Sequence, residues 1–100
     1  MTPINPGILA TVKWLRSHGF STTDSGDGVT HDFGCDQDRP YVHMLVEPAR
    51  LVEEANRLAT LLADRGITVE PCDEHGTAPM IEASYNPADL AVISLWNVKL

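Results

Sequence analysis

Residues 41–70, YVHMLVEPARLVEEANRLATLLADRGITVE, decide the fold. The first six alternate. Tyr41, His43 and Leu45 share one face and Val42, Met44 and Val46 the other, which is the period of a strand. Glu47-Pro48 then opens a helix. Leu51, Ala55, Leu58 and Leu62, flanked by Val52, Ala59 and Leu61, make a broad apolar stripe at helical spacing. Glu53 and Arg57 stand four apart in the favourable order, so the spacing predicts an ion pair between them. Gly66 closes the helix in the left-handed conformation, and residues 67–70 read as the next strand. A strand–helix–strand unit of this kind predicts parallel strands and a right-handed crossover.

The same punctuation appears upstream. Asn5 is a good N-cap and Pro6 suits a first helical turn. Ile8, Leu9, Val12 and Leu15 follow at helical spacing, Gly19 stops the helix, and Phe20 is placed to fold back on its last turn. Leu15-Arg16-Ser17-His18-Gly19-Phe20 aligns without a gap on Leu62-Ala63-Asp64-Arg65-Gly66-Ile67. Residues 20–23 read as a short strand and 24–40 as a long acidic loop. Residues 71–79 are a second polar loop, 80–85 a strand and 86–89 a turn. Residues 90–96 are nearly all apolar, which predicts a strand inside the sheet. The element order is α-β-β-α-β-β-β. The expected architecture is α+β: a mixed sheet of four to five strands with two helices on one face. Most aromatics go to the core, whereas Trp14 lies off the first helical stripe and is expected at an interface.

One hundred residues allow a single domain, 1–100. A chain of this size buries roughly two-thirds of its extended surface, enough for one core. The 43% hydrophobic content excludes a disordered tail and a disulfide-dense knot. Fourteen acids against seven bases give a net charge of −7, which argues against a nucleic-acid backbone or an anionic membrane as partner. No run suits a signal peptide or a membrane span, so a cytoplasmic setting is expected, with Cys35 and Cys72 as free thiols. The acids crowd into two loops: Asp24, Asp27, Asp32, Asp36 and Asp38 in the first, Asp73 and Glu74 in the second. If the strands after the two helices run the same way, both loops leave the same end of the sheet and make an acidic end.

Four chemistries bear on these loops. His31-x3-Cys35 and Cys72-x2-His75 are two N/S pairs that would make a tetrahedral metal site only if the loops converge. Asp24-Ser25-Gly26-Asp27-Gly28 misses the register of a calcium-binding loop and reads as a capped turn. The same run is followed by neither a helix nor a lysine, so it is no phosphate-binding loop. Thr23, Ser25, Gly26 and Gly28, with Ser84 and Tyr85, remain as candidates for a small polar ligand. His31, Cys35, His43 and Ser84 sit in no nucleophile motif. No cofactor is expected.

Thr22-Thr23-Asp24-Ser25-Gly26-Asp27-Gly28, preceded by Trp14-Leu15-Arg16-Ser17-His18-Gly19-Phe20, resembles small proteins of unassigned chemistry encoded by tailed bacteriophages. Ile81-Glu82-Ala83-Ser84-Tyr85-Asn86-Pro87-Ala88-Asp89 is similar to them too, and these pieces cover about a third of the chain. The resemblance implies no activity. It implies a viral or prophage setting in a bacterial host, where small acidic domains block a host defence protein or sequester a signalling nucleotide. The expected function is therefore a non-enzymatic binding protein. It would cover a basic surface of a host protein with Asp24, Asp27, Asp32, Asp36, Asp38, Asp73 and Glu74. The alternatives are an oligomeric nucleotide sponge built on the Thr23–Gly28 and Ser84–Tyr85 residues, and a metal-binding domain. A homo-oligomer is expected, because an open sheet face and Trp14 would otherwise expose apolar surface.

Overall fold

The computed structural model describes residues 7–27, 39–71, 76–85 and 90–100. Helix α1 spans Leu9–Ser17, strand β1 Ser21–Asp27 and strand β2 Pro40–Val46. A 3-10 turn, Pro48–Arg50, leads into helix α2, Leu51–Asp64. Strands β3 (Glu70–Pro71), β4 (Met80–Tyr85) and β5 (Ala91–Trp96) follow. The five strands form one mixed sheet in the order β1-β2-β5-β4-β3. The architecture is α+β, with the apolar last strand at the centre as its composition requires.

Both helix ends are built as the repeated sequence predicts. Phe20 N–H donates to the Leu15 carbonyl at 3.1 Å and Gly19 N–H to Arg16 at 3.0 Å. Ile67 N–H donates to Leu62 at 2.9 Å and Gly66 N–H to Ala63 at 2.9 Å. This is the double bond of the Schellman motif, twice. It needs a left-handed residue, and Gly19 (φ 88°) and Gly66 (φ 80°) supply it. At the other end of α1, Ile8 occupies the cap position without a side-chain hydrogen bond. The expected cap, Asn5-Pro6, lies outside the described residues.

Ile8 at the cap of α1, Val12 and Leu15 within it, and Leu51, Leu58 and Leu62 of α2 are buried in one cluster with Val42, Met44, Ile93 and Leu95. Val42 pairs with Leu95 and Met44 with Ile93, so these four share one sheet face. Both helices therefore cover the same side. The C-terminus closes that core: Val98 is buried, and Leu100 N–H donates to the hydroxyl of fully buried Thr11 at 2.8 Å. Trp14 is not fully exposed. It packs half-buried against the core, edge-on to His18 and under the Arg65 guanidinium.

Two expectations about strands are corrected. The chain after Thr23 is not yet loop, because β1 continues to Asp27. Nothing in Ser-Thr-Thr-Asp-Ser-Gly-Asp alternates in hydropathy, and its strand state comes from pairing with β2. The strand expected over 67–70 is only Glu70–Pro71. Strands β2 and β3 do run parallel, but β5 and β4 lie between them. The chain thus returns from α2 to the far edge of the sheet.

Candidate functional site

The sheet face away from the helices carries Tyr41 and His43 from β2 and Ser94 and Trp96 from β5, paired as Tyr41–Trp96 and His43–Ser94. Strict alternation along two antiparallel strands puts these four together. The three rings form a cluster. Tyr41 lies 4.8 Å from His43 and 5.6 Å from Trp96, and His43 meets Trp96 edge-on at 5.8 Å. The Arg39 guanidinium stacks over Trp96 at 4.3 Å. His43 Nδ1 shares a 2.7 Å hydrogen bond with Ser94 Oγ.

A bulge brings Asp24 to this cluster. Ser21 pairs with Leu45 and Thr22 with Met44, but Asp24, not Thr23, pairs with His43. Without the extra residue, Asp24 would oppose Val42 and point its carboxylate at the core. With it, Asp24 joins the helix-free face and accepts a hydrogen bond from Tyr41 Oη at 3.0 Å. Re-aiming one side chain is a common role of a β-bulge. Thr23, the bulged residue, anchors the kink by donating to the His43 carbonyl at 3.3 Å.

The flanks of the two acidic loops also meet here. Arg39, which enters β2, donates to the Gly76 carbonyl at 3.3 Å. Asn97, just beyond β5, donates through Nδ2 to Gly76 (3.1 Å) and Ala78 (2.9 Å), and its amide donates to Pro40 at 2.8 Å. Its left-handed φ of 64° aims both groups at once. The reason for the meeting differs from the one expected. Strands β1 and β3 run in opposite directions. Gly76 to Pro79, the described part of the second loop, lead into the start of β4. That is the end of the sheet where β1 stops.

Of the acids singled out, Asp24 and Asp27 lie on β1. Asp32, Asp36, Asp38, Asp73 and Glu74 lie outside the described residues, as do Gly28 and the metal candidates His31, Cys35, Cys72 and His75. Among the described residues no group of three His, Cys, Asp or Glu could hold a metal ion. The candidate ligand residues are not brought together. Thr23, Ser25 and Gly26 sit on the β1 edge, and Ser84 and Tyr85 on β4, three positions across the sheet. Three strand spacings amount to about 14 Å.

His43 and Ser94 have the spacing of a base and a nucleophile. Ser94, however, is 2% exposed. A concavity of about 330 Å³ lies between the α1–β1 corner and the start of α2, lined in part by His18, Phe20, Arg50, Glu54 and Arg57. Its charges cancel internally. Buried Glu54 receives Arg57 at 2.6 Å and Arg50 at 2.8 Å. The expected Glu53–Arg57 pair is thus replaced, with Glu53 turned to Arg50 at 3.6 Å. Arg57 instead reaches the His18 carbonyl (2.7 Å) and the Phe20 ring (4.2 Å), which only the tertiary fold brings within range.

His43 shares a face with Tyr41, as the alternation of residues 41–46 predicts, and Tyr41 is buried as expected for most of the aromatics. Arg39, Ser94 and Asn97 carry no motif that marks them in the sequence. The alternation of β5 held the missed signal, since it puts Ser94 and Trp96 opposite Ile93 and Leu95. Among the described residues no helix is long and apolar enough to cross a membrane. No protein family, curated protein or solved structure matches the chain.

Proposed function

We propose that this chain is a small non-enzymatic binding protein that docks on a basic surface of another protein. The observation that carries the reading is the convergence of Arg39, Gly76, Ala78 and Asn97, which ties the flanks of both acid-rich segments to one end of the sheet. On this reading the two acid-rich segments act together in docking, with Asp24 beside the Tyr41–His43–Trp96 cluster. Carboxylates of this kind steer encounter, and the aromatic cluster supplies the fixed, desolvated contact. The bulge at Thr23 supports the same reading, because it keeps Asp24 out of the core and on this face. The resemblance to phage proteins makes the partner a bacterial host protein, and a defence protein fits a blocking role.

The test is capture from a bacterial lysate on immobilised protein, at two salt concentrations and with an acid-to-amide variant of Asp24, Asp27, Asp32, Asp36 and Asp38. A steered acidic interface holds its partner at about 50 mM salt and loses most of it by about 300 mM, where the screening length falls below ~6 Å. The variant should lose it at both. Capture indifferent to salt and to the five amides would remove the proposal.

A further inference from the structure

Asp24 is an exposed carboxylate held in one orientation by neutral groups. Its Oδ2 accepts the Tyr41 hydroxyl at 3.0 Å and its Oδ1 the Ser25 amide at 2.9 Å. Neither donor cancels its charge, and Asp24 forms no ion pair among the described residues. Arg16 is held on the other side of β1. It donates to Thr22 Oγ1 at 2.6 Å, and Thr22 pairs with Met44 on the helix-covered face. A carboxylate offers about four acceptor positions. With one taken on each oxygen, one remains on each, the arrangement that a two-pronged donor fits.

Beside that carboxylate stand a ring and an apolar side chain. His43 faces Asp24 across the β1–β2 ladder, and Leu45 follows His43 on the same face. Facing residues of an antiparallel pair stand about 5 Å apart at Cβ. His43 is half-buried and Leu45 is 37% exposed, so both can be reached from solvent. The molecule itself shows what fills such a place. Arg57 forks onto Glu54 through Nε and Nη2 while its plane lies 4.2 Å from the Phe20 ring. Arg39 stacks on Trp96 and Arg65 on Trp14, so three of the five arginines lie on rings. Asp24 and His43 repeat the carboxylate and the ring without the guanidinium.

We propose that Asp24, His43 and Leu45 take an arginine side chain of the partner protein. The guanidinium forks onto the two open positions of Asp24, its plane lies over the His43 imidazole, and its aliphatic stem runs along Leu45. This deepens the docking reading and rests on it for the origin of the arginine. Charge selects a cation: the chain carries −7, and Asp24 is the first of the five acids over 24–38. Geometry selects arginine over lysine. A planar fork fills both oxygens and keeps a face for the ring, whereas an ammonium is a compact, strongly hydrated point charge. The bulge at Thr23 supplies the carboxylate, because it turns Asp24 to the face of His43.

The experiment is an amide NMR titration of the intact chain with the peptide acetyl-Gly-Arg-Gly-amide, against acetyl-Gly-Lys-Gly-amide and sodium chloride at equal ionic strength. The arginine peptide should shift the Asp24, His43 and Leu45 amides in a saturable way, and the lysine peptide should bind at least about fivefold more weakly. D24N, which keeps an oxygen to accept from Tyr41, should weaken the arginine peptide about tenfold. H43N, which keeps a polar group for Ser94 and removes the ring, should cut the preference for arginine to below about twofold. A lysine peptide that binds as well as the arginine peptide overturns the proposal. So do shifts that salt alone reproduces, or arginine binding that D24N leaves unchanged. Arginine binding at Asp24 without salt-sensitive capture from lysate removes the docking reading and keeps the arginine site. Salt-sensitive capture without arginine binding at Asp24 keeps the docking reading and removes the arginine site.

Discussion

Truncation of Arg57 should destabilise the fold far more than its half-exposed position implies. Its guanidinium holds three parts of the molecule at once. Nε and Nη2 donate to Glu54 at 2.9 and 2.6 Å, Nη1 donates to the His18 carbonyl at 2.7 Å, and the plane stacks on buried Phe20 at 4.2 Å. The side chain is 39% exposed, which screens its share of the ion pair. The hydrogen bond to the carbonyl is charge-assisted, and such bonds contribute about 1.5–3 kcal/mol. The stack adds about 0.5–1 kcal/mol. Glu54 keeps Arg50 as a partner. R57A should therefore cost about 2–4 kcal/mol. With a urea slope of about 1.5 kcal/mol per molar, the unfolding midpoint falls by about 2 M. R50A, on a side chain 54% exposed, should cost below about 1 kcal/mol. R57K presents a point charge that satisfies one of the three contacts and should recover about a third of the loss. A double-mutant cycle with E54A should show coupling of about 0.5–3 kcal/mol. If R57A unfolds within about 0.5 kcal/mol of wild type, the tether between α2 and the α1–β1 corner contributes nothing and the reasoning is wrong.

Three further outcomes follow from local geometry. G19A and G66A should each cost about 1–2 kcal/mol by thermal unfolding, because no atom lies within 4 Å of an added Cβ and the penalty is conformational alone. G66N, which tolerates the left-handed region, should cost less than G66A, and equal losses would point to a steric cause. T11V should cost about 1–2 kcal/mol, since it strands the Leu100 amide in a half-buried position, and hydrogen exchange at that amide should accelerate. N97G should keep the left-handed backbone and lose only the bonds to Gly76 and Ala78, whereas N97A loses both. Amide exchange over residues 76–80 should rise in both variants, with N97A the less stable. Unchanged exchange in N97A would show that Asn97 does not hold this segment.

The candidate site was only partly legible in the sequence. The alternation of residues 41–46 put Tyr41 and His43 on one face, and the cluster is built on that face. Asp24 was read as a turn residue, because Thr-Thr-Asp-Ser-Gly-Asp-Gly has the composition of a turn and no apolar period. Its strand state depends on β2, its direction on a bulge, and its partner on Tyr41, seventeen residues away. Glu53 and Arg57 satisfied the helical rule for an ion pair. Arg57 turned to Glu54, His18 and Phe20 because the α1–β1 corner lies within reach of its side chain. Residues 71 to 79 looked like a second loop, but nothing local to them indicated that Asn97 and Arg39 would hold Gly76.

The sequence by itself determined what is local. It set the two Schellman ends at Gly19 and Gly66, the apolar stripes of both helices, the two faces of β2 and the interior place of β5. These follow from bonds and periodicities within a few residues, and the chain carries them wherever it goes. The strand order β1-β2-β5-β4-β3, the bulge that turns Asp24 outward, the shortness of β3, and the meeting of Arg39, Gly76 and Asn97 at one end come from the tertiary structure. Each of these joins groups ten or more residues apart. Their geometry is set by which surfaces the core brings together, and no short stretch of sequence contains that information.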